Sequence, residues 1–219
     1  MMTNESLTPE EILRRERRRA RAYELLSACY HEPSEELLTK LEEPAVLKGT
    51  ATTESLDELR IDYAKLFVGP FEVRAPPYES VYVDSESRLM TESTVSVREI
   101  YRREGLDIDL DKPADHIAAQ LEFTYVLVLA QLDALESNDP ERAAEYLRRQ
   151  YEFLSEHLGR WVSEIAENMR DAAETEFYQL LANETQSFVE GDGKRLADRL
   201  NRLETTDDVL TVLGGETDE

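Results

Sequence analysis

The stretch Tyr63-Ala64-Lys65-Leu66-Phe67-Val68-Gly69-Pro70-Phe71-Glu72-Val73-Arg74-Ala75-Pro76-Pro77-Tyr78-Glu79-Ser80-Val81-Tyr82 divides the chain into two helical halves. On both sides of it apolar residues recur every three or four positions, and inside it that rhythm stops. Val68-Gly69-Pro70 ends a helix, and Pro76-Pro77 enforces an extended, polyproline-like backbone. The stretch holds four aromatic rings after Tyr63, three prolines and one glycine. A solvent-exposed loop has no use for so many rings. Two readings follow. The segment packs onto a helical core as a rigid strap, or it lines a groove for an apolar or proline-bearing peptide. The two are compatible, because stiff prolines hold rings open and reduce the ordering cost of binding.

Towards the N-terminus, Thr8-Pro9-Glu10-Glu11 predicts a helix start, with Thr as N-cap, Pro in the first turn and acids favoured by the dipole. That helix runs to about Tyr30 and stops before Pro33. Ser34 caps a short helix through Leu41, residues 44–53 read as a loop, and a helix from about Glu54 to Phe67 carries Leu56, Leu59, Tyr63, Leu66 and Phe67. Towards the C-terminus, a helix runs from about Thr91 to Gly105. Asp111-Lys112-Pro113 starts a long helix whose middle, Tyr125 to Ala130, is apolar all round, the mark of a central core helix. Asn138-Asp139-Pro140 starts the next, which Gly159 interrupts before Trp161, Ile165 and Met169. Phe177, Leu180, Leu181 and Phe188 form a last helix, closed at Gly191. The expected fold is all-α, a single compact helical domain over 1–219 with a Pro- and aromatic-rich connecting loop and flexible ends at 1–8 and 214–219.

Composition narrows the function. Asp and Glu number 48 against 25 Lys and Arg, a formal charge of −23, and only 5 of those 25 cations are Lys. So negative a field repels phosphate backbones and argues against nucleic acid as a partner. The rings and the even spread of acids do not suit a disordered chain. A carboxylate-rich, lysine-poor surface suits high salt, so a halophilic source is expected. The single cysteine excludes a disulfide framework or a cysteine-rich metal site. No window reaches 18 apolar residues, so no membrane insertion is expected. Arg14-Arg15-Glu16-Arg17-Arg18-Arg19-Ala20-Arg21 precedes an amphipathic stretch rather than an apolar one, and reads as the solvated basic face of the first helix, not as a signal peptide.

A search for catalytic chemistry finds little. His31, His116 and His157 are far apart, with no metal-ligand spacing and no phosphate loop, so no metal and no cofactor is expected. Asp115-His116 is the only acid–histidine neighbour pair. Adjacent helical residues point about 100° apart and make no relay by themselves. The local alternative is an acid satisfying helix N–H groups beside a polar histidine.

The segment Leu66 to Pro70 followed by Pro76 to Tyr82 closely resembles the signature of the TorD/DmsD family, dedicated chaperones of molybdopterin enzymes of the dimethyl sulfoxide and trimethylamine N-oxide reductase type. The resemblance continues at Lys112-Pro113-Ala114-Asp115-His116-Ile117, at Leu121-Glu122-Phe123, from Phe153-Leu154 through His157-Leu158 to Trp161, and at Phe177-Tyr178, covering about 60–190. It implies an all-helical, cytoplasmic binding protein and not an enzyme. Its partner would be the twin-arginine leader and apo-form of a molybdopterin oxidoreductase, held back from export until the cofactor is inserted, and the protein would be a monomer or a helix-exchanged homodimer. The matching leader-binding residues are Tyr63, Leu66, Phe71, Pro77, Tyr78, Tyr82, Asp115 and His116. Aromatics and Leu66 would take the apolar part of a leader. Asp115, helped by Glu79, would take an arginine through charge-assisted hydrogen bonds, and His116 would orient Asp115 or bond a peptide carbonyl. The chain departs from the family where relatives carry tryptophan in place of Tyr63, Phe71, Tyr78 and Tyr82, and where Gln120 replaces a common acid. The competing readings are a helical scaffold or regulator with a core-packed aromatic loop, and a small helical hydrolase built on Asp115 and His116.

Overall fold

The computed structural model describes residues 7–41, 52–69, 72–84, 92–106, 113–203 and 212. Its helices are α1 (Pro9–Cys29), α2 (Glu35–Leu41), α3 (Leu56–Tyr63), α4 (Glu79–Val83), α5 (Glu92–Arg103), α6 (Ile117–Glu136), α7 (Pro140–Phe153), α8 (Gly159–Ala172) and α9 (Glu176–Leu203). Single π-turns extend α3 over Ala64–Val68 and join α7 to α8 over Leu154–Leu158. Among the described residues there is no strand, only one isolated antiparallel bridge between Tyr78 and His116. The fold is all-α. Most of the expected loop at 44–53, the expected flexible ends apart from residues 7 and 8, and Phe71 lie outside the described residues.

Local chemistry starts the helices where the sequence places them. Thr8 and Glu11 form a reciprocal capping box at α1, Ser55 and Glu58 form another at α3, and the Ser34 hydroxyl accepts from Leu37 N at α2. Each such cap is worth about 1 kcal/mol. α1 lies along α6, α6 along α7, and α8 along α9. Tyr23, Leu26, Leu121, Val128, Leu147, Trp161, Ile165 and Leu181 meet in the core and are essentially inaccessible. Burying each of these large side chains contributes about 1.5–3 kcal/mol. A second, smaller apolar cluster of Val97, Tyr101, Phe123, Leu127 and Phe153 seats α5. α6 is long and apolar enough to cross a membrane by length and composition, yet it packs between α1 and α7 with 61% of its apolar window buried.

Four expected boundaries move. The long central helix starts at Ile117, not at Pro113, because the His116 side chain caps it: Nδ1 accepts from Ala118 N at 3.1 Å. The loop after Val68 contains α4, a single turn too short to show periodicity. Gly159 does not interrupt its helix. It begins α8 directly after a π-turn, where a Cβ would lie 2.5 Å from the Leu154 carbonyl oxygen. Gly191 does not close the last helix, which runs on to Leu203 because Asp192, Leu196 and Arg199 are buried against its neighbours.

The arginine-rich stretch of α1 is also not wholly solvated. Glu16 is fully buried and Arg19 nearly so. Arg19 donates to Asp192 Oδ2 at 2.9 Å, to Glu16, and to Gln150, while Arg199 donates to Glu16 at 3.0 Å and the Tyr23 hydroxyl to Asp192 at 2.7 Å. This ionic network ties α1 to α7 and α9.

Candidate functional site

The strap between α3 and α4 is fixed at both ends. At its start, Gly69 adopts φ +52°, its N–H bonds Ala64 O, and a Cβ there would meet the Glu72 carbonyl at 2.9 Å. Ala75, fully buried, donates to Leu66 O at 2.8 Å, so the chain folds back on the π-turn. At its end, residues 77–80 zip onto 115–117. Ile117 N donates to Pro77 O at 2.9 Å and Glu79 N to Asp115 O at 3.0 Å. α4 has no side-chain cap of its own. Asp115 supplies one from across the bridge, with Oδ2 accepting from Ser80 N at 3.1 Å and Oδ1 from the Thr94 hydroxyl at 3.0 Å.

One turn further in, Glu79 points to the core. Its carboxylate accepts from Gln120 Nε2 at 2.5 Å and lies 3.0 Å from His157 Nδ1. Gln120 in turn accepts from Trp161 Nε1 at 3.2 Å. The π-turn carries His157 into this seam, since the extra residue re-aims the helix face at that point. Tyr82 closes the top. Its ring stacks on Trp161 at 5.4 Å and 22°, and its hydroxyl accepts from Asn168 at 3.3 Å. Tyr78 rests edge-on against His116 at 5.2 Å.

The residues expected to form a binding site, Phe71 apart, which lies outside the described residues, are thus brought together, at different depths. Leu66, Glu79 and Asp115 are fully buried, His116, Tyr63 and Pro77 are buried, and Tyr78 and Tyr82 are half-buried. The exposed member of the turn is Val81, 55% accessible. Asp115 and Glu79, expected to receive an arginine, spend their oxygens on Ser80, Thr94, Gln120 and His157 inside the protein. Asp115 and His116 cap different helices. Burial, with the Asp115 charge second, raises the Tyr78 pKa. Burial pushes Tyr82 up to about 12 against the Asn168 hydrogen bond, aided by Glu164. Both rings stay neutral and present an apolar body with a polar tip.

Reading the sequence missed Thr94, Gln120 and His157 as members of this seam. Histidine within a turn of Trp161 was the available signal, but its partner is 78 residues away.

Beside the strap, α3 holds the start of α9. Asp62 Oδ2 accepts from Glu174 N, Thr175 N and the Thr175 hydroxyl, and Glu54 Oε1 accepts from Glu176 N and Phe177 N. Lys65 pairs with Glu174 at 2.5 Å. A cleft of about 490 Å³ opens here, lined by Lys65, Gly69, Glu72, Arg74, Asp171 and Glu174. Among the described residues no three histidine, cysteine or acidic side chains are grouped to hold a metal.

Comparison with known proteins finds a family described as nitrate reductase delta subunit, matched over residues 26–167. The chain is 33% identical over 131 residues to the Tat proofreading chaperone DmsD of Salmonella typhimurium, covering 59% of this chain and 57% of that one. It is 31% identical over 140 residues to the chaperone protein TorD of Vibrio cholerae, covering 62% and 60%. The match therefore spans less than two thirds of the length of these relatives. Among solved structures, a chain described as a redox enzyme maturation protein from Archaeoglobus fulgidus superposes with a TM-score of 0.54 at 23% identity, over 78% of this chain and 93% of that one, a likeness of fold.

Proposed function

Because the chain belongs to the nitrate reductase delta subunit family, we propose that it is a cytoplasmic, non-enzymatic chaperone for a molybdopterin oxidoreductase of the dimethyl sulfoxide or trimethylamine N-oxide reductase type. It binds the twin-arginine leader and the apo-form of that client and assists maturation before export. One observation carries the reading: a strap pinned at both ends presents half-buried Tyr78 and Tyr82 beside exposed Val81. A preformed apolar face of this kind loses little entropy when a peptide settles on it.

In this reading Tyr78 and Tyr82 meet the apolar part of the leader, with Phe71 from the same strap. Tyr63, Leu66 and Pro77 support that surface from below. Glu79, Asp115 and His116 set its shape by holding α4 to the start of α6. The exposed acids Glu72, Glu164, Asp171 and Glu174 give the negative potential that draws the arginine pair. The protein acts as one helical domain, either monomeric or as a helix-exchanged pair.

Calorimetric titration with a synthetic twin-arginine leader tests this. Tyr78→Ala should weaken binding by about tenfold or more, as loss of an aromatic anchor does, with the circular dichroism unchanged. Trp161 is the only tryptophan and stacks on Tyr82, so its emission should shift on binding. A folded wild-type protein that binds no leader would refute the proposal.

A further inference from the structure

Which rings the strap presents depends on one turn of helix. α4 has five residues and no side-chain cap of its own, and a helix that short is not stable by itself. The bridge to residues 115–117 fixes where it starts, and the Glu79 side chain ties down its inner face. At about 100° per residue, an inward Glu79 puts Val81 on the opposite side and Tyr82 on the flank. That pattern is observed: Glu79 is inaccessible, Val81 is exposed and Tyr82 is half-buried. The groups that hold the Glu79 carboxylate therefore set the rotation of α4.

Two side chains hold it. Gln120 of α6 donates to Oε2, and His157 Nδ1 lies 3.0 Å from Oε1 and 3.3 Å from Oε2. A carboxylate only accepts, so Nδ1 carries the hydrogen. The His157 ring rests against Phe153 at 5.4 Å. Four residues on, Trp161 carries the Tyr82 ring. These two contacts are the rungs of one ladder. Glu79 and Tyr82 stand three apart on α4, and His157 and Trp161 stand four apart on the π-turn and α8, spacings that share a helix face. Gln120 braces both rungs, because its Nε2 donates to Glu79 while its Oε1 accepts from Trp161 Nε1 at 3.2 Å.

We propose that His157 is a positioning residue for the peptide-binding face. Only 5% accessible, it lies too deep to meet a peptide laid on Tyr78, Val81 and Tyr82, and it acts through Glu79. Apolar packing would bury α4 as well, but that force has no direction. Hydrogen bonds have preferred angles, so the His157–Glu79 contact fixes the turn that keeps Tyr82 on Trp161 and Val81 outward. The ligand served is the apolar part of the twin-arginine leader, which rests on the strap being the leader's seat.

The test titrates the full chain with a synthetic twin-arginine leader by calorimetry and records the Trp161 emission wavelength of the free protein. His157→Leu removes the donor, whereas His157→Asn keeps an N–H where Nδ1 stands. His157→Leu should weaken leader binding by about tenfold or more and move the emission, while His157→Asn should stay within about threefold of the wild type. If His157→Leu does not fold, Glu79→Gln with His157→Leu leaves no carboxylate alone in the core and should show the same loss. Leu196→Ala controls for lost stability alone. Leu196 is inaccessible in α9, about 30 Å along that helix from its start beside the strap. This variant should melt lower but keep leader affinity and emission. With leader bound by the wild type, any of three results overturns the role of His157 and leaves the leader reading standing. These are unchanged affinity in His157→Leu, no recovery in His157→Asn, or an equal loss in Leu196→Ala. A folded wild type that binds no leader overturns both.

Discussion

Glu16→Gln gives the sharpest test of how the helices are tied together. Glu16 is fully buried, with Arg19 Nη1 at 2.5 Å, Arg199 Nη1 at 3.0 Å and Arg15 Nε at 3.8 Å. Burial works to raise its pKa, but Arg199, Arg19 and Arg15 outweigh it and hold the carboxyl at about 2, against an ordinary 4.5. At about 1.4 kcal/mol per pKa unit, that drop corresponds to about 3 kcal/mol of folding stability. The folded pKa lies below the unfolded one, so the unfolded chain binds more protons between them. The contribution is complete above about pH 4.5 and disappears as pH falls through about 2. An independent estimate comes from removing one partner of a buried ion pair, which costs about 3–5 kcal/mol. Glu16→Gln should therefore lower the urea-derived stability by about 3 kcal/mol near pH 7, and the deficit should shrink at about pH 3. Removing both charges, with Glu16→Met and Arg199→Met together, should cost less than the single change, because the Arg199 charge no longer faces the place that the Glu16 carboxylate has left. A deficit under about 1 kcal/mol, or one that stays constant from pH 7 to pH 3, would refute the reasoning.

Asp115→Ala should release the cap on α4, destabilise the protein by about 1–2 kcal/mol and weaken leader binding, whereas Asp115→Asn keeps an acceptor and should recover part of both; stability and calorimetry on the two variants check this. Gly159→Ala drives a Cβ to 2.5 Å from Leu154 O and should cost about 1–3 kcal/mol by forcing the π-turn to rearrange, seen as a lower melting temperature and a shift in Trp161 emission. With a charge of −23, the protein we propose to come from a high-salt cytoplasm should melt several degrees higher at about 2 M than at about 0.1 M potassium chloride; an unchanged melting curve would count against that origin.

The parts of the structure that were legible rest on neighbours in sequence. Thr8 with Glu11, and Ser34 with Leu37, act within one helical turn, so residue types alone locate those helix starts. The loss of periodicity after Val68 marks the strap for the same reason. Boundaries failed where a distant group decided them. The α9 helix passes Gly191 because Asp192 is anchored by Arg19 and Tyr23 of α1, which outweighs the local cost of glycine.

The binding surface shows the same division. Its residues could be named from their pattern, but the choice among their possible roles could not be made. Aspartate beside histidine allowed either a pair facing a ligand or an acid satisfying helix N–H groups. Asp115 does the second, for a helix 35 residues upstream, and His116 caps the one that follows it. Glu79 looked available to an arginine until the fold set it against Gln120 and His157. By itself the sequence determined helical class, strap and net charge, because each follows from composition or from residues a few positions apart. Only the tertiary structure decided which acids are spent inside and which rings remain outside. A carboxylate's availability depends on donors that reach it from elsewhere in the chain, and those donors are set by packing.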